Sequence, residues 1–387
     1  MSVTSPLGFV AAGVHAGIKA SGDLDLALVA TDDAAPVAAA AVFTRNLACA
    51  APVHLSRAHL LATGGRAAAV VLNSGNANAA TGESGLAVAQ ETCALVAKAL
   101  GCATEEVLVC STGLIGIPMA VAPFCTGVPA AVAALAPEGG TDAARAIMTT
   151  DTVAKEATAV AGRITAGGLA KGAAMLAPNM ATMLAVITID ADVEAPVLQR
   201  SLQAAVDVSF NRLTVDGCTS TNDTVIVLAS GRAGPADETV VDSLLREVAG
   251  SLAAQMCGDA EGATKVVRVE VHGATDDVEA AAAARKVAQS QLVKCSWYGQ
   301  DPYWGRVLSE LGSAGVSLDL DTLSIAYGGV VVSRGAIEVE HDQAAVAQHM
   351  AGRSIQLTCD LGVGPGSWWL LTNDLTHAYV DENMGTS

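Results

Sequence analysis

Runs of apolar, often β-branched residues alternate along this chain with segments whose apolar positions recur at helical spacing. Residues 67–72, 107–110, 183–189 and 224–229 each read as a short buried strand. Residues 266–271 alternate apolar with polar in the period of a half-buried strand, and 323–332, 354–361 and 368–371 complete the strand set. Helical spacing appears over 83–100, where Gly101 stops the pattern, and over 128–148, which Thr149-Thr150-Asp151-Thr152 closes. It returns over 192–208 (Leu198, Leu202, Ala205, Val206), 237–256 and 277–288. No fixed-period repeat is present, and Gly167-Gly168 is the best internal break. The pattern predicts a mixed α/β (α+β) protein built as two mixed halves that meet near Thr182.

The junction at Thr182 is unusual. Lys171–Asp190 reads KGAAMLAPNMATMLAVITID, so Ala-Pro-Asn-Met-Ala stands directly against a strand whose mouth is Thr182. A turn alone would need only Pro178-Asn179. Thr182 is either an ordinary β-former or a nucleophile placed by a rigid strand behind a small residue, Ala181. In the second reading its hydroxyl attacks the preceding carbonyl in an N→O acyl shift. Hydrolysis of the ester then leaves Thr182 as a new N-terminus, whose α-amine, with an ordinary pKa of about 8, can activate its own hydroxyl.

Composition narrows the function classes. The chain has 387 residues, 51% hydrophobic and 16% charged, with a net charge of −18. A large core is therefore affordable, whereas nucleic acid and anionic membrane are disfavoured as partners. The nine cysteines are odd in number, scattered, and without Cys-x-x-Cys or a histidine at ligand spacing, which predicts reduced thiols and no metal site. No basic leader with an apolar core and no membrane-length apolar run is seen, so a soluble cytoplasmic protein is expected.

Three further positions carry candidate chemistry. Thr112-Gly113, in CSTGLIG, follows the 107–110 strand. A glycine there can turn its N–H inward and, with the threonine hydroxyl or N–H, form a two-donor oxyanion site; the alternative is a plain strand-to-loop turn. Lys171, flanked by glycine and alanine, suits a substrate carboxylate if it is not simply a solvated surface charge. Glu261, in GDAEGATK, suits a substrate ammonium or merely decorates a helix end. The histidines lack motif context, and no Ser/His/Asp set, P-loop or dinucleotide fingerprint is found.

The motifs together resemble the ornithine acetyltransferase (glutamate N-acetyltransferase) family of arginine biosynthesis. Its carriers run in order over almost the whole chain: VFTRN (42–46), NSGNANAATG (73–82), STGLIG (111–116), IMTTDT (147–152), AKGAAMLAPNMATML (170–184), SFNRLTVDG (209–217), STNDT (220–224), DAEGATK (259–265), LVKCS (292–296) and DPYWGRVL (301–308). The resemblance implies self-cleavage between Ala181 and Thr182 into an α chain, 1–181, and a β chain, 182–387. It implies a ping-pong cycle in which Thr182 takes acetyl from N-acetylornithine and passes it to glutamate. Thr112 and Gly113 would form the oxyanion hole, while Thr149, Thr150, Lys171, Glu261, Asn383 and Ser387 would line the substrate site. No cofactor is implied, although acetyl-CoA is an alternative acetyl donor. The implied assembly is an α2β2 heterotetramer, and the implied fold is the family's α/β type, distinct from the Ntn-hydrolase sandwich.

Departures from that family pattern fall on segments expected near substrate. Tyr303 replaces an asparagine, Lys294-Cys295-Ser296 is followed by Trp297-Tyr298, and the chain ends Asn383-Met384-Gly385-Thr386-Ser387, one residue short and without the usual tyrosine. The chemistry is therefore better specified than the substrate. Three alternatives remain: an acyltransferase of specialised metabolism acting on other amino acids, an N-terminal-Thr amidohydrolase, and an uncleaved, non-enzymatic relative. Thr182→Ala should leave one uncut 387-residue chain without transferase activity. Normal cutting of that variant, read by intact mass, would overturn the nucleophile assignment.

Overall fold

The computed structural model describes residues 2–177 and 183–385; Ala181, Thr182 and Ser387 lie outside the described residues. Two compact units emerge, one of Met1–Asn211 with Cys218–Met256, the other of Arg212–Gly217 with Cys257–Gly385. In chain order the first contains β1 (Phe9–Val14), β2 (Leu26–Thr31), β3 (Val37–Phe43), α1 (Ala51–Ala62), β4 (Arg66–Ala67), β5 (Ala69–Asn73), α2 (Gly82–Leu100), β6 (Val107–Ser111), α3 (Ala122–Ala133), α4 (Gly140–Ala146), β7 (Lys155–Ala161), β8 (Ile164–Lys171), β9 (Leu184–Asp192), α5 (Ala195–Asp207), β10 (Thr224–Pro235) and most of α6 (Glu238–Gly258). Among the described residues its strands form a four-stranded sheet, β1-β2-β5-β6, and a six-stranded sheet, β4-β3-β10-β9-β8-β7.

The four-stranded sheet is apolar on both faces, which is why its strands read as continuous hydrophobic runs. Along β5, Val70 and Leu72 join a core with Leu169, Leu184 and Ile226 of the six-stranded sheet. Ala69 and Val71, pointing the other way, join Cys93 and Val96 of α2 and Phe124 and Val128 of α3. The α2 helix ends as expected at Gly101, whose φ of 82° lets its N–H close on the Ala97 carbonyl at 2.8 Å.

The second unit contains β11 (Val266–Ala274), α7 (Asp277–Ala288), α8 (Gln291–Tyr298), α9 (Trp304–Gly312), β12 (Ser324–Tyr327), β13 (Val330–Arg334), β14 (Ile337–Glu338), α10 (Gln343–Ala351), β15 (Ser354–Asp360), β16 (Gly366–Asn373) and α11 (His377–Glu382). Its sheet runs β14-β13-β12-β15-β11-β16. The alternation along β11 sends Val267, Val269 and Val271 into the core and leaves Arg268 and Glu270 partly exposed. Asp276 caps α7 by accepting from the Val278 and Glu279 N–H groups.

Three expectations need correction. The helix expected over 128–148 is two, α3 and α4, separated by Pro137-Glu138-Gly139. Ala136 bonds there to Ala11 of β1, and a Cβ on Gly139 would lie 1.8 Å from the Ala11 carbonyl oxygen. The strand expected over 323–332 is the β12–β13 hairpin, because Gly328 and Gly329 both take positive φ, 56° and 81°. Gly167-Gly168 is not a break but the buried middle of β8, where glycine admits close neighbours. Gly168 faces Val248 and Leu252 of α6, and a Cβ on Gly167 would meet the Ser2 carbonyl oxygen at 2.1 Å.

Strands β8 and β9 flank residue 182 and pair antiparallel from Ala166↔Ile189 to Lys171↔Leu184. A cut before Thr182 would therefore divide the backbone between neighbouring strands of one sheet. The compact units divide elsewhere, at Asn211/Arg212, Gly217/Cys218 and Met256/Cys257.

Gly167→Ala should destabilise by about 1–3 kcal/mol, since its Cβ meets backbone that must shift. Gly250→Ala, in the interior of α6 with open space around it, should instead stabilise by about 0.5–1 kcal/mol. Chemical denaturation of both variants checks the opposite signs.

Candidate active site

Strands β5 and β6 run parallel and end side by side, with Asn73 opposite Ser111. Their loops leave the same sheet edge and are stitched together. The Ser111 hydroxyl donates to Asn73 Oδ1 (2.6 Å), the Thr112 N–H to the Asn73 carbonyl (2.9 Å) and the Ala77 N–H to the Leu114 carbonyl (3.0 Å). The Thr112 N–H is thus committed, which resolves one open alternative: Thr112 can serve an oxyanion only through its hydroxyl. Gly113 sits at φ 128°, and a Cβ there would lie 2.3 Å from the Gly75 carbonyl carbon. Glycine is required at this turn by space as well as by backbone angle.

Lys171, the last residue of β8, is buried, contrary to the solvated alternative. Its sequence neighbours are small and apolar, but the fold supplies polar company from afar. Nζ lies 2.7 Å from the Thr149 hydroxyl, 3.4 Å from that of Thr112 and 3.9 Å from Asp151 Oδ2. The sequence-predicted residues 112, 149 and 171 therefore converge.

Asp151 organises the cluster, and sequence reasoning missed it. Its Oδ1 accepts from Lys155 Nζ (2.6 Å) and the Gly172 N–H (2.7 Å), and its Oδ2 from the Thr149 N–H (3.1 Å). Burial pushes the carboxyl pKa up, but the Lys171 and Lys155 charges and these hydrogen bonds outweigh it and hold the pKa at about 2.

Thr150 and Gly113 line a cavity of about 600 Å³ together with Thr149, Gly75, Leu114 and Lys19. Lys19 is placed by the buried Asp25 carboxylate, which accepts from the N–H groups of Ala16, Gly17, Ile18 and Lys19 at 2.6–3.1 Å. Its Nζ donates to the Leu24 and Met148 carbonyls, and burial, aided by the Lys171 charge, lowers its pKa. Sequence reasoning gave Lys19 no role; the stretch GFVAAGVHAGIK (8–19), which ends on it, was the available signal.

In the second unit Glu261 is buried and accepts from Asn383 Nδ2 at 2.7 Å. That amide also donates to the Tyr379 carbonyl at 2.9 Å, so α11 carries Asn383 to Glu261. These two expected substrate residues are brought together; Ala181, Thr182 and Ser387 fall outside the described residues.

The ArgJ family model matches residues 10–385. The chain belongs to the ArgJ family. The "Arginine biosynthesis bifunctional protein ArgJ" of Thermobifida fusca is 47% identical over 388 residues, and its namesake in Streptomyces coelicolor 45%, each alignment covering all of both chains. Among solved structures, ornithine acetyltransferase from Mycobacterium tuberculosis, complexed with ornithine, is 46% identical over 46% of this chain and 94% of that one, with a TM-score of 0.41.

The second-unit segments that depart from the ArgJ-family pattern are partly core and partly exposed. Lys294 is buried and its Nζ donates to the Val215 and Asn373 carbonyls and the Thr372 hydroxyl; burial lowers its pKa to about 8. Trp297 is a core residue of that unit. Tyr298 is exposed, edge-on to the His377 ring at 6.1 Å, and Tyr303 is exposed just before α9. All nine cysteines are unpaired, and among the described residues no His/Cys/Asp/Glu group is placed to hold a metal ion. Nor is any described helix long and apolar enough to cross a membrane.

Asp151→Asn removes the carboxylate that two buried lysines share and should cost about 3–5 kcal/mol at pH 7. The folded pKa of about 2 lies below the ordinary 3.8, so the ionisation-linked part of this contribution, about 2 kcal/mol, is complete above pH 3.8 and is lost as pH falls through 2. Denaturation of wild type and variant at stepped pH should show the stability gap narrowing by that amount over the window.

Proposed function

We propose that the chain is a glutamate N-acetyltransferase that moves acetyl from N-acetylornithine to glutamate through an acetyl-Thr182 intermediate. The observation that carries this reading is convergence: Lys171, at the end of β8, meets the hydroxyls of Thr112 and Thr149 beside a glycine-only turn. Maturation comes first. The Thr182 hydroxyl attacks the Ala181 carbonyl carbon, the amide becomes an ester, and water releases the Ala181 carboxylate and the Thr182 α-amine.

In the cycle that amine takes the hydroxyl proton as Thr182 attacks the acetyl carbonyl of N-acetylornithine. Negative charge on the tetrahedral oxygen is met by the Thr112 hydroxyl and the Gly113 N–H. Collapse expels the ornithine amine with a proton and leaves acetyl-Thr182, and the glutamate amine then reverses the sequence. Lys171, Thr149 and Thr150 suit a substrate carboxylate, and Glu261, with Asn383 and Ser387, suits an ammonium. The reaction itself requires no cofactor; acetyl-CoA is a second donor to be assayed. A cytoplasmic α2β2 assembly of the two cut chains is part of this reading.

Two-substrate kinetics should give parallel double-reciprocal lines for N-acetylornithine and glutamate. Preference for another amino-acid acceptor would indicate a sister acyltransferase, and acetate release without acceptor a hydrolase. Thr112→Ala should lower kcat of fully cut enzyme by about 10²–10³-fold, as expected for one lost oxyanion donor. An unchanged kcat would place the donors elsewhere. Lys171→Met should be cut normally and show KM raised by about one to two decades, as expected for one lost charge-assisted contact; failure to mature would instead tie Lys171 to the scissile bond.

A further inference from the structure

The STNDT segment (220–224) has no role in the chemistry above, yet its two central residues reach toward both halves of the site. Asn222 is buried, and its Nδ2 donates to the Ala77 carbonyl (2.6 Å) and the Ser111 carbonyl (2.9 Å), the latter one residue before Thr112. Its own Oδ1 accepts from the Thr221 hydroxyl and its N–H donates to Ser220 Oγ, so the side-chain amide is locked. Asp223, fully buried, accepts the Met183 N–H on Oδ1 at 2.8 Å, and the next residue, Thr224, donates its N–H to the Met183 carbonyl at 3.1 Å. Met183 directly follows Thr182 in the chain. Adjacent residues thus hold the strand end behind the oxyanion turn and the residue behind the nucleophile.

We propose that Asn222 and Asp223 are positioning residues that together fix the spacing between the Thr112-Gly113 turn and Met183, the residue that follows Thr182 in the chain. Neither touches substrate; they act through the backbone of Ser111 and Met183. Asp223 needs no charge for this. Burial, outweighing the Met183 amide, the Ser220 hydroxyl and the Lys171 charge, raises its pKa well above the ordinary carboxylate value. The proposal rests on the reading of Thr182 as nucleophile.

The test compares Asn222→Ala, Asp223→Ala and Asp223→Asn for extent of cutting by intact mass, for kcat and KM of the cut enzyme, and for thermal stability. Both alanine variants should be cut slowly and, once cut, lose about 10²-fold in kcat at unchanged KM, the scale set by a misplacement of about 1 Å. Asp223→Asn keeps an acceptor for the Met183 N–H and should recover both reactions. If the alanine variants do not fold, Asn222→Gln keeps the donor but displaces it by one methylene, and should show the same loss in kcat. Wild-type cutting and kcat in Asn222→Ala and Asp223→Ala, or in Asn222→Gln, would overturn the proposal. So would an Asp223→Asn protein as stable as wild type but as inactive as Asp223→Ala, because the carboxyl would then be needed as an acid or a charge. Wild-type enzyme that is neither cut before Thr182 nor acetylated would remove the nucleophile reading itself, whatever the variants do.

Discussion

The candidate site depends on one buried carboxylate. Asp151 lies on the segment that leaves α4, away from bulk water, and a lone carboxylate there would be neutralised or expelled. It remains ionised because Lys155 and Lys171 flank it and the Thr149 and Gly172 N–H groups donate to it. Those contacts tie the 149–151 segment to the end of β8, and the Thr149 hydroxyl and Lys171 ammonium meet as a result. In the proposed reading, the cation offered to a substrate carboxylate, Lys171, has its place fixed by Asp151.

The glycine and alanine content of the chain is what lets that segment approach. A Cβ on Gly13 of β1 would lie 2.0 Å from the Asp142 carbonyl oxygen of α4, and Gly139 is pressed equally close to Ala11. Ala143, Ala144 and Ala146 of α4 are fully buried in the core shared by the two sheets of the first unit. Small side chains here shorten the distance between helix and strand, and that distance sets where the chain after α4 emerges. Gly113 does the same at the turn after β6, where the 73–78 and 111–116 loops approach at backbone contact distance.

Sequence patterning exposed the elements whose signals are local. The Val/Ile-rich β9 and β10, the alternating β11 and the glycine-stopped α2 were all legible, because period and capping do not depend on distant residues. The alanine strand β3 (VAAAAVF) was not, since alanine has no strand preference and only its neighbours in the sheet hold it there. Gly167-Gly168 was misread because a glycine pair in a linker and one under a crossing chain look alike. At the site, Thr112, Gly113 and Lys171 stood out from loop composition and motif resemblance. Asp151, Lys155, Asp25, Asn222 and Asp223 did not, because each gains its meaning from a partner reached only by folding, such as Met183 for Asp223, forty positions earlier in the chain.

The central claim is that Thr182 becomes an N-terminal residue and carries the acetyl group. Intact mass of the purified protein, before and after N-acetylornithine and again after glutamate, tests it most directly. The account predicts a fragment beginning at Thr182 that gains one acetyl group from N-acetylornithine and loses it to glutamate. A single uncut chain, or a cut chain whose mass N-acetylornithine leaves unchanged while transfer proceeds, would contradict it.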